Sequence, residues 1–231
     1  MSFRRVRRPE VMDQADLDAN LHVRALRGLG RINFFSHSAG ILWPALAELA
    51  RTMAPRVPRI LDIATGGGDV PIRLFRRAQR AGLELHFEGC DVSPVALEYA
   101  GARAAGTPIR FFVYNALTGP ALDGYDAIMC SLFLHHLEEA QAISLLVRMA
   151  EMAGRLVLVN DLQRGAIGLL AAHLVTRLLT TSPVVRIDGP RSVEAAFTAA
   201  EARVLAERAG LCGARVSRRW PFRWLLTWRR P

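Results

Sequence analysis

The sequence predicts an α/β fold built on one mostly parallel sheet, and three observations lead there. Short apolar runs alternate with helical-period stretches from Arg59 to Val159, the rhythm of parallel strands joined by right-handed helical crossovers. The first run, Arg59-Ile60-Leu61-Asp62-Ile63, is followed by a turn through Gly66, Gly67 and Gly68 into a helical pattern. The 231 residues are 51% hydrophobic and 22% charged, which suits one large domain with a substantial core.

Each element has its own signal. From Glu10 to about Arg51 the pattern reads as two or three helices, with Asp16-Leu17-Asp18 as the N-terminal signal and Leu21, Leu26, Leu29 and Ile32 at helical spacing. Residues 1–52 are therefore expected to form a helical cap or lid, and residues 53–231 the sheet domain. Pro55 and Pro58 end the helical stretch, and the Arg59–Ile63 strand follows. Val70 to Ala81 is amphipathic, and Leu83 to Cys90 alternates as a strand does. Ser93 as N-cap and Pro94 in the first turn start a helix that runs to about Ala105. Strands at Ile109–Tyr114 and Tyr125–Cys130, a helix over Glu138–Met152 and a strand at Arg155–Val159 continue the alternation. From about 163 to 191 the rhythm breaks: an apolar helix near Ile167–Leu179 precedes Ser182-Pro183 and Gly189-Pro190, an expected lid insertion. A last helix is expected from Ser192 to Ala209, then two strands between Ala214 and Trp228 joined at Pro221.

The formal net charge of +9 is carried on the basic side by arginine alone, since the chain has no lysine. The arginines are spread out except for Arg4, Arg5, Arg7 and Arg8 near the start and Arg218, Arg219, Arg223, Arg229 and Arg230 near the end, which read as solvated termini. Cys90, Cys130 and Cys212 lie in apolar stretches without metal-ligand spacing, so buried free thiols and no metal are expected. No apolar h-region follows the basic start, and no uncharged run approaches the ~20 residues that span a bilayer. A cytoplasmic location is the expectation.

Ligands of such a sheet bind at the carboxyl ends of its strands. There the glycines let the backbone approach a ligand closely. The position three beyond Gly68 is Pro71, so the third glycine of a dinucleotide-binding loop is missing. Asp91, at the end of the second strand, suits the two hydroxyls of a ribose. The spacing points to an adenosine ligand without a pyrophosphate.

Leu61-Asp62-Ile63-Ala64-Thr65-Gly66-Gly67-Gly68-Asp69-Val70-Pro71 resembles the first motif of class I S-adenosylmethionine-dependent methyltransferases, particularly those of ubiquinone and menaquinone biosynthesis. Gly89-Cys90-Asp91-Val92-Ser93 resembles the second motif, Asp126-Ala127-Ile128-Met129-Cys130 the fourth strand, and Ser131-Leu132-Phe133-Leu134-His135-His136-Leu137 the segment that follows it in many small-molecule members. The resemblance covers roughly Arg59 to Asp161. It implies a Rossmann-like, mostly parallel seven-stranded sheet with an antiparallel last strand, and S-adenosylmethionine as cofactor with S-adenosylhomocysteine as product. Carried onto this chain, it places Asp62, Ala64, Thr65, Gly66 and Gly68 at the methionine part and Asp91 at the ribose. Val92, Asn115 and Ala116 fall at the adenine, and Cys130 and Ser131 beneath the sulfonium. Ala64 stands where the family usually has its first glycine, and Asn115 where aspartate is commoner.

Methyl transfer to a hydroxyl needs an aligned acceptor and a base for its proton. His136 or His135 is the candidate base, with Asp161 orienting it or binding the acceptor. His22, His37, His86 and His173 read as isolated. Leu169, Leu170, Leu174, Leu178 and Leu179 either line a lipophilic acceptor pocket or pack the lid onto the sheet. The acceptor expected is a small hydroxylated aromatic, quinone or polyketide-like compound, handled by a monomer or homodimer with transient membrane-surface contact. Nucleic acid is not expected as a partner: no Asn-Pro-Pro-Tyr-like run follows the fourth strand, and no Pro-Cys nucleophile is present. The alternative is an RNA or protein methyltransferase using the arginine-rich surface.

Overall fold

Seven strands form one sheet: β1 (Arg59–Ile63), β2 (His86–Asp91), β3 (Arg110–Val113), β4 (Tyr125–Ser131), β5 (Ala153–Leu162), β6 (Arg215–Arg219) and β7 (Arg223–Arg229), in the order β3-β2-β1-β4-β5-β7-β6. The computed structural model describes residues 3–14 and 16–231. Strands β1 to β5 pair in parallel, and β7 runs antiparallel to both β5 and β6. This is the predicted sheet with its antiparallel last strand.

The helices are α1 (Ala19–Phe35), α2 (Ser38–Met53), α3 (Asp69–Arg80), α4 (Pro94–Arg103), α5 (Glu139–Met152), α6 (Ala166–Leu179), α7 (Pro183–Ala195) and α8 (Ala199–Arg208). Because side chains alternate across a strand, neighbours such as Ile60 and Leu61 serve opposite faces. On one face, Leu42, Leu46 and Leu49 of α2 and Leu74 of α3 pack with Ile60, Met129 and Leu158. On the other, Leu145 and Met149 of α5 and Leu205 of α8 pack with Leu61, Ile128 and Val157. Each fully buried leucine contributes about 1.5–3 kcal/mol. Both faces are covered, which explains why these strands read as continuous apolar runs.

Local chemistry sets the helix boundaries. The Asp18 side chain caps α1 by accepting from Asn20 N and Leu21 N, and Ser93 caps α4. The helix expected from Ser192 to Ala209 is instead two helices. Ser182 and Pro183 start α7, which continues through Gly189-Pro190, and a reciprocal capping box between Thr198 and Glu201 starts α8 after a break at Ala196. A Thr-x-x-Glu signature outweighs the unbroken apolar pattern there.

The termini also correct the sequence reading. Arg5 Nε donates to Ala195 O at 2.6 Å, its Nη2 donates to Leu137 O at 2.7 Å and His135 O at 3.2 Å, and the guanidinium lies 3.8 Å from the Phe197 ring centre. Arg7 Nε meets Glu138 at 2.7 Å, Val6 N donates to Glu194 O at 3.1 Å, and Arg164 Nε holds Phe3 O at 2.7 Å. The N-terminal segment is thus a strap laid across α7 and the turn after β4. At the other terminus Arg223 is buried, Arg229 pairs with Glu48, and Arg230 caps the carbonyl of Ala153. Cys90 and Cys130 are buried thiols as expected, but Cys212 is exposed.

On helix α6, Leu169 and Leu179 are half-buried. Ile167, Leu170, Leu174 and Leu178, spaced three and four apart, all face solvent. Among the described residues no helix is long and apolar enough to cross a membrane.

Candidate active site

The turn after β1 takes the left-handed conformation three times, at Ala64 (φ 53°), Gly66 (φ 53°) and Gly68 (φ 67°). A Cβ on Gly68 would lie 2.8 Å from Phe111 Cζ and 3.0 Å from Ala100 Cβ, so both space and conformation demand glycine. Ala64 adopts the same conformation with a side chain, at a cost of roughly 1–2 kcal/mol. Two short bonds shape the loop from within: Thr65 Oγ1 donates to Asp62 Oδ2 at 2.7 Å and Thr65 N to Cys90 O at 2.9 Å. Asp91 accepts from Gly66 N at 2.9 Å and from Ser93 N at 3.0 Å, one bond to each oxygen. Each oxygen keeps a lone pair for a further donor.

Leu26 of α1 lies against Gly66 and Gly67. The same helix carries His22, whose pKa burial lowers against the opposing charges of Asp91 and Asp13. His22, isolated in sequence, belongs to the surroundings of the Asp91 carboxylate.

Among the described residues, six buried side-chain atoms lack a partner: Asp62 Oδ1, Asp69 Oδ2, Arg73 Nε, Asn160 Oδ1, and Nε and Nη1 of Arg223. Pleating gathers them. Asp62, Asn160 and Arg223 share strand faces with Ile60, Leu158 and Leu225, all on the α2–α3 side. Asp69 opens α3, and Arg73 lies one turn on. Arg223 Nη2 donates to Ser36 Oγ at 2.6 Å just past α1. Burial raises Asp62 to about 8, and burial lowers Arg223 to about 10 against the charges of Asp161 and Asp69. An unmet buried polar group costs about 1–3 kcal/mol. The unmet acceptors suit an ammonium group and the unmet guanidinium donors a carboxylate, so the residues fit the amino-acid end of S-adenosylmethionine.

The other predicted residues divide. Val92 is 62% exposed beside Asp91. Asn115 is exposed, and its Oδ1 accepts from Leu117 N at 2.9 Å. Ser131 Oγ accepts from Asn160 Nδ2 at 2.8 Å. Ala116 and Cys130 lie in the core cluster on the α5 side, where burial holds the Cys130 thiol protonated, so they offer a ligand only their backbone.

Past β4, a single 3-10 turn, Leu134–His136, presents both histidines. His135 is 3% exposed; its Nδ1 lies 2.7 Å from Asp161 Oδ1, and its backbone N donates to Asp161 Oδ2 at 3.1 Å. Burial works against the charge of Asp161, but His135 and two backbone donors hold its pKa below the ordinary carboxylate range. With Nδ1 donating to Asp161, a neutral His135 ring carries its lone pair on Nε2. His136 Nδ1 lies 2.9 Å from Asp13 Oδ2. Burial disfavours its charge, yet Asp13, Glu10 and Asp161 outweigh that and raise it to about 9. His136 must lose a proton before it can act as a base, whereas His135 is oriented by Asp161. Glu10, which the sequence reading left without a role, sits 3.8 Å from Nε2 of each histidine. No local motif marks it, because the strap brings it there from 125 residues away in sequence.

Residues 60–154 match the family model described as "Methyltransferase domain". The demethylmenaquinone methyltransferase of Thermus thermophilus is 34% identical over 151 residues, 62% of this chain and 66% of that protein. A release factor glutamine methyltransferase of Mycobacterium tuberculosis is 36% identical over 89 residues, 37% of this chain and 29% of that protein. The chain thus spans about two thirds of the first relative's length and under a third of the second's. The solved structure of the plantazolicin methyltransferase BpumL in complex with SAH superposes with a TM-score of 0.63 at 14% identity, covering 94% of this chain and 92% of that one. Motifs, sheet order and family match agree: residues 60–154 form a methyltransferase domain, and the chain has the fold and motifs of the class I S-adenosylmethionine-dependent type.

Proposed function

We propose that the chain transfers the methyl group of S-adenosylmethionine to a hydroxyl of a small lipophilic acceptor, aromatic, quinone or polyketide-like. The observation that carries this reading is the pairing of the unmet polar row near the glycine loop with the His135–Asp161 dyad on the neighbouring strand ends. The demethylmenaquinone methyltransferase relative supports the class of acceptor.

Asp91 holds the ribose hydroxyls, Val92 covers the adenine, and Asn115 with the Ala116 backbone meets its edge. Asp62 and Asn160 receive the ammonium, and Arg223 the carboxylate. The backbone of Ala64, Thr65, Gly66 and Gly68 lies along the methionine chain, and Cys130 and Ser131 lie beneath the sulfonium. Bound there, S-adenosylmethionine supplies an electrophilic methyl group for in-line attack by the acceptor oxygen. His135 Nε2 takes the acceptor's proton, and Asp161 fixes the ring and stabilises its charged form. Because Glu10 of the strap faces Nε2, the acceptor reaches the base only as the strap moves aside. The apolar stripe on α6 supports docking against a lipid surface that stores such acceptors. The alternative, an RNA or protein substrate on a basic surface, loses support because Arg5, Arg164, Arg223 and Arg230 are committed to internal partners.

The test is turnover of a panel of hydroxylated aromatics and quinones by the wild type and His135→Gln. A loss of about 10²–10⁴ in kcat with S-adenosylhomocysteine affinity unchanged is expected. Equal turnover by both would remove the base assignment, and absence of any methylated product across the panel would count against the acceptor class.

A further inference from the structure

We propose that Glu10, His135 and His136 form a binding site for a divalent transition cation of the zinc type. The carboxylate and the two imidazoles offer ligand atoms that all lie within 4.8 Å of one another. Glu10 Oε1 is 3.8 Å from His135 Nε2, and Glu10 Oε2 is 3.8 Å from His136 Nε2. Those separations are too long for hydrogen bonds. Zinc bonds of about 2.0–2.2 Å in a tetrahedral arrangement place neighbouring ligand atoms roughly 3.3–3.6 Å apart, so each of the two Glu10–imidazole separations closes to that range with a shift of a few tenths of an ångström.

The second and independent observation is what stands behind the histidines. Each ring has its other nitrogen held by a carboxylate: His135 Nδ1 by Asp161 at 2.7 Å and His136 Nδ1 by Asp13 at 2.9 Å. Protein metal sites orient histidine ligands in this way, leaving Nε2 of each ring to face Glu10, and a cation bound there displaces the proton that His136 otherwise carries. Ser192 Oγ donates to Glu10 Oε1 at 2.6 Å and so steadies the third ligand. Three carboxylates around two imidazoles also make the cluster anionic when the rings are neutral, which a divalent cation balances. The donor set of two nitrogens and one oxygen belongs to zinc and its neighbours and suits calcium or magnesium poorly. Three protein ligands leave a fourth coordination position open. Entry is from the surface past Asp13, whose side chain is 56% exposed.

The site does not depend on methyl transfer. It is exclusive with one step of the reaction above, since His135 Nε2 cannot hold a cation and accept a proton together. The base role therefore belongs to the cation-free chain.

The experiment titrates zinc chloride into the tag-free, chelator-stripped full chain by calorimetry, with circular dichroism to verify the fold of every variant. One zinc per wild-type chain is expected, with Glu10→Gln and His136→Gln each weakening binding at least about tenfold and Asp13→Asn weakening it about 10–100-fold through the freed ring. His86→Gln, which alters a histidine outside the cluster, should bind as the wild type does. Where one of the two ligand variants fails to fold, the other decides. Absence of saturable one-to-one binding to the wild type, or binding that a folded Glu10→Gln or His136→Gln leaves unchanged, would overturn the site.

Discussion

Around β1 and β2 the contacts that shape the glycine loop are nearly local: Thr65 reaches back 3 residues to Asp62, Ser93 reaches 2 to Asp91, and Gly66 bonds to Asp91 across 25. Around β4 and β5 the strap does the same work over much longer spans, 130 residues from Arg5 to His135, 123 from His136 to Asp13 and 161 from Arg164 to Phe3. The two regions share one edge of the sheet. The first keeps its geometry as long as its strands pair, while the second exists only once the whole chain has closed on itself. A glycine loop written into a short motif and a histidine cluster assembled by a distant segment are therefore expected to fail separately.

Arg223→Met separates ligand binding from stability most sharply. Removing the guanidinium relieves two unmet donors but loses the bond to Ser36 and the charge facing Asp161 and Asp69, so the ligand-free melting temperature should fall only modestly. The affinity for S-adenosylhomocysteine should fall about 10–100-fold, as expected for a lost charge-assisted carboxylate contact. Undiminished affinity in calorimetry would make the polar row a packing feature.

On the strap side, Arg5→Ala leaves the carbonyls of Ala195, His135 and Leu137 without that donor and uncovers the Phe197 ring. Denaturant unfolding should show a loss of about 1–3 kcal/mol. The glycine loop is built without the strap, so S-adenosylhomocysteine affinity should stay within about twofold once ligand-linked stabilisation is allowed for. Equal damage to both properties would mean that the two regions are one unit.

The pH dependence is smaller and has a defined sign. Asp62 titrates at about 8 in the folded ligand-free chain, so at pH 7 it carries a proton. An ammonium group placed at Oδ1 favours the carboxylate, and binding then expels that proton. Calorimetry in buffers of different ionisation enthalpy should detect proton release at pH 7, with affinity rising until the pH passes about 8. Asp62→Asn should show neither effect.

The smallest change expected is at Ala64. Ala64→Gly relieves the left-handed strain but gives the unfolded chain more freedom, so a net gain below about 1 kcal/mol is expected in thermal unfolding. A clear loss would show that the Ala64 methyl group packs usefully.

The same contrast explains what the sequence disclosed. The β-α alternation, the glycine turn and the place of Asp91 were legible because their signals are short apolar runs, glycines and a carboxylate at a strand end, each readable within a few residues. The Ser93 cap of α4 was legible for the same reason. Arg5 and Arg7 read as a solvated terminus, Glu10 had no apparent role and His22 looked isolated, because their partners lie far off in sequence. Arg223 was counted with a basic tail, and only β7 pairing with β5 carries it inside. The α8 start was the exception: Thr198 and Glu201 formed a readable capping box that the apolar pattern around them obscured.

The central claim is that the glycine loop and Asp91 hold S-adenosylmethionine. Calorimetric titration of S-adenosylhomocysteine into the wild type and Asp91→Ala tests it most directly. One ligand per wild-type chain, with affinity about 100-fold weaker in the variant through loss of two charge-assisted hydrogen bonds, is the predicted result. No binding to the wild type, or equal binding to both, would contradict it.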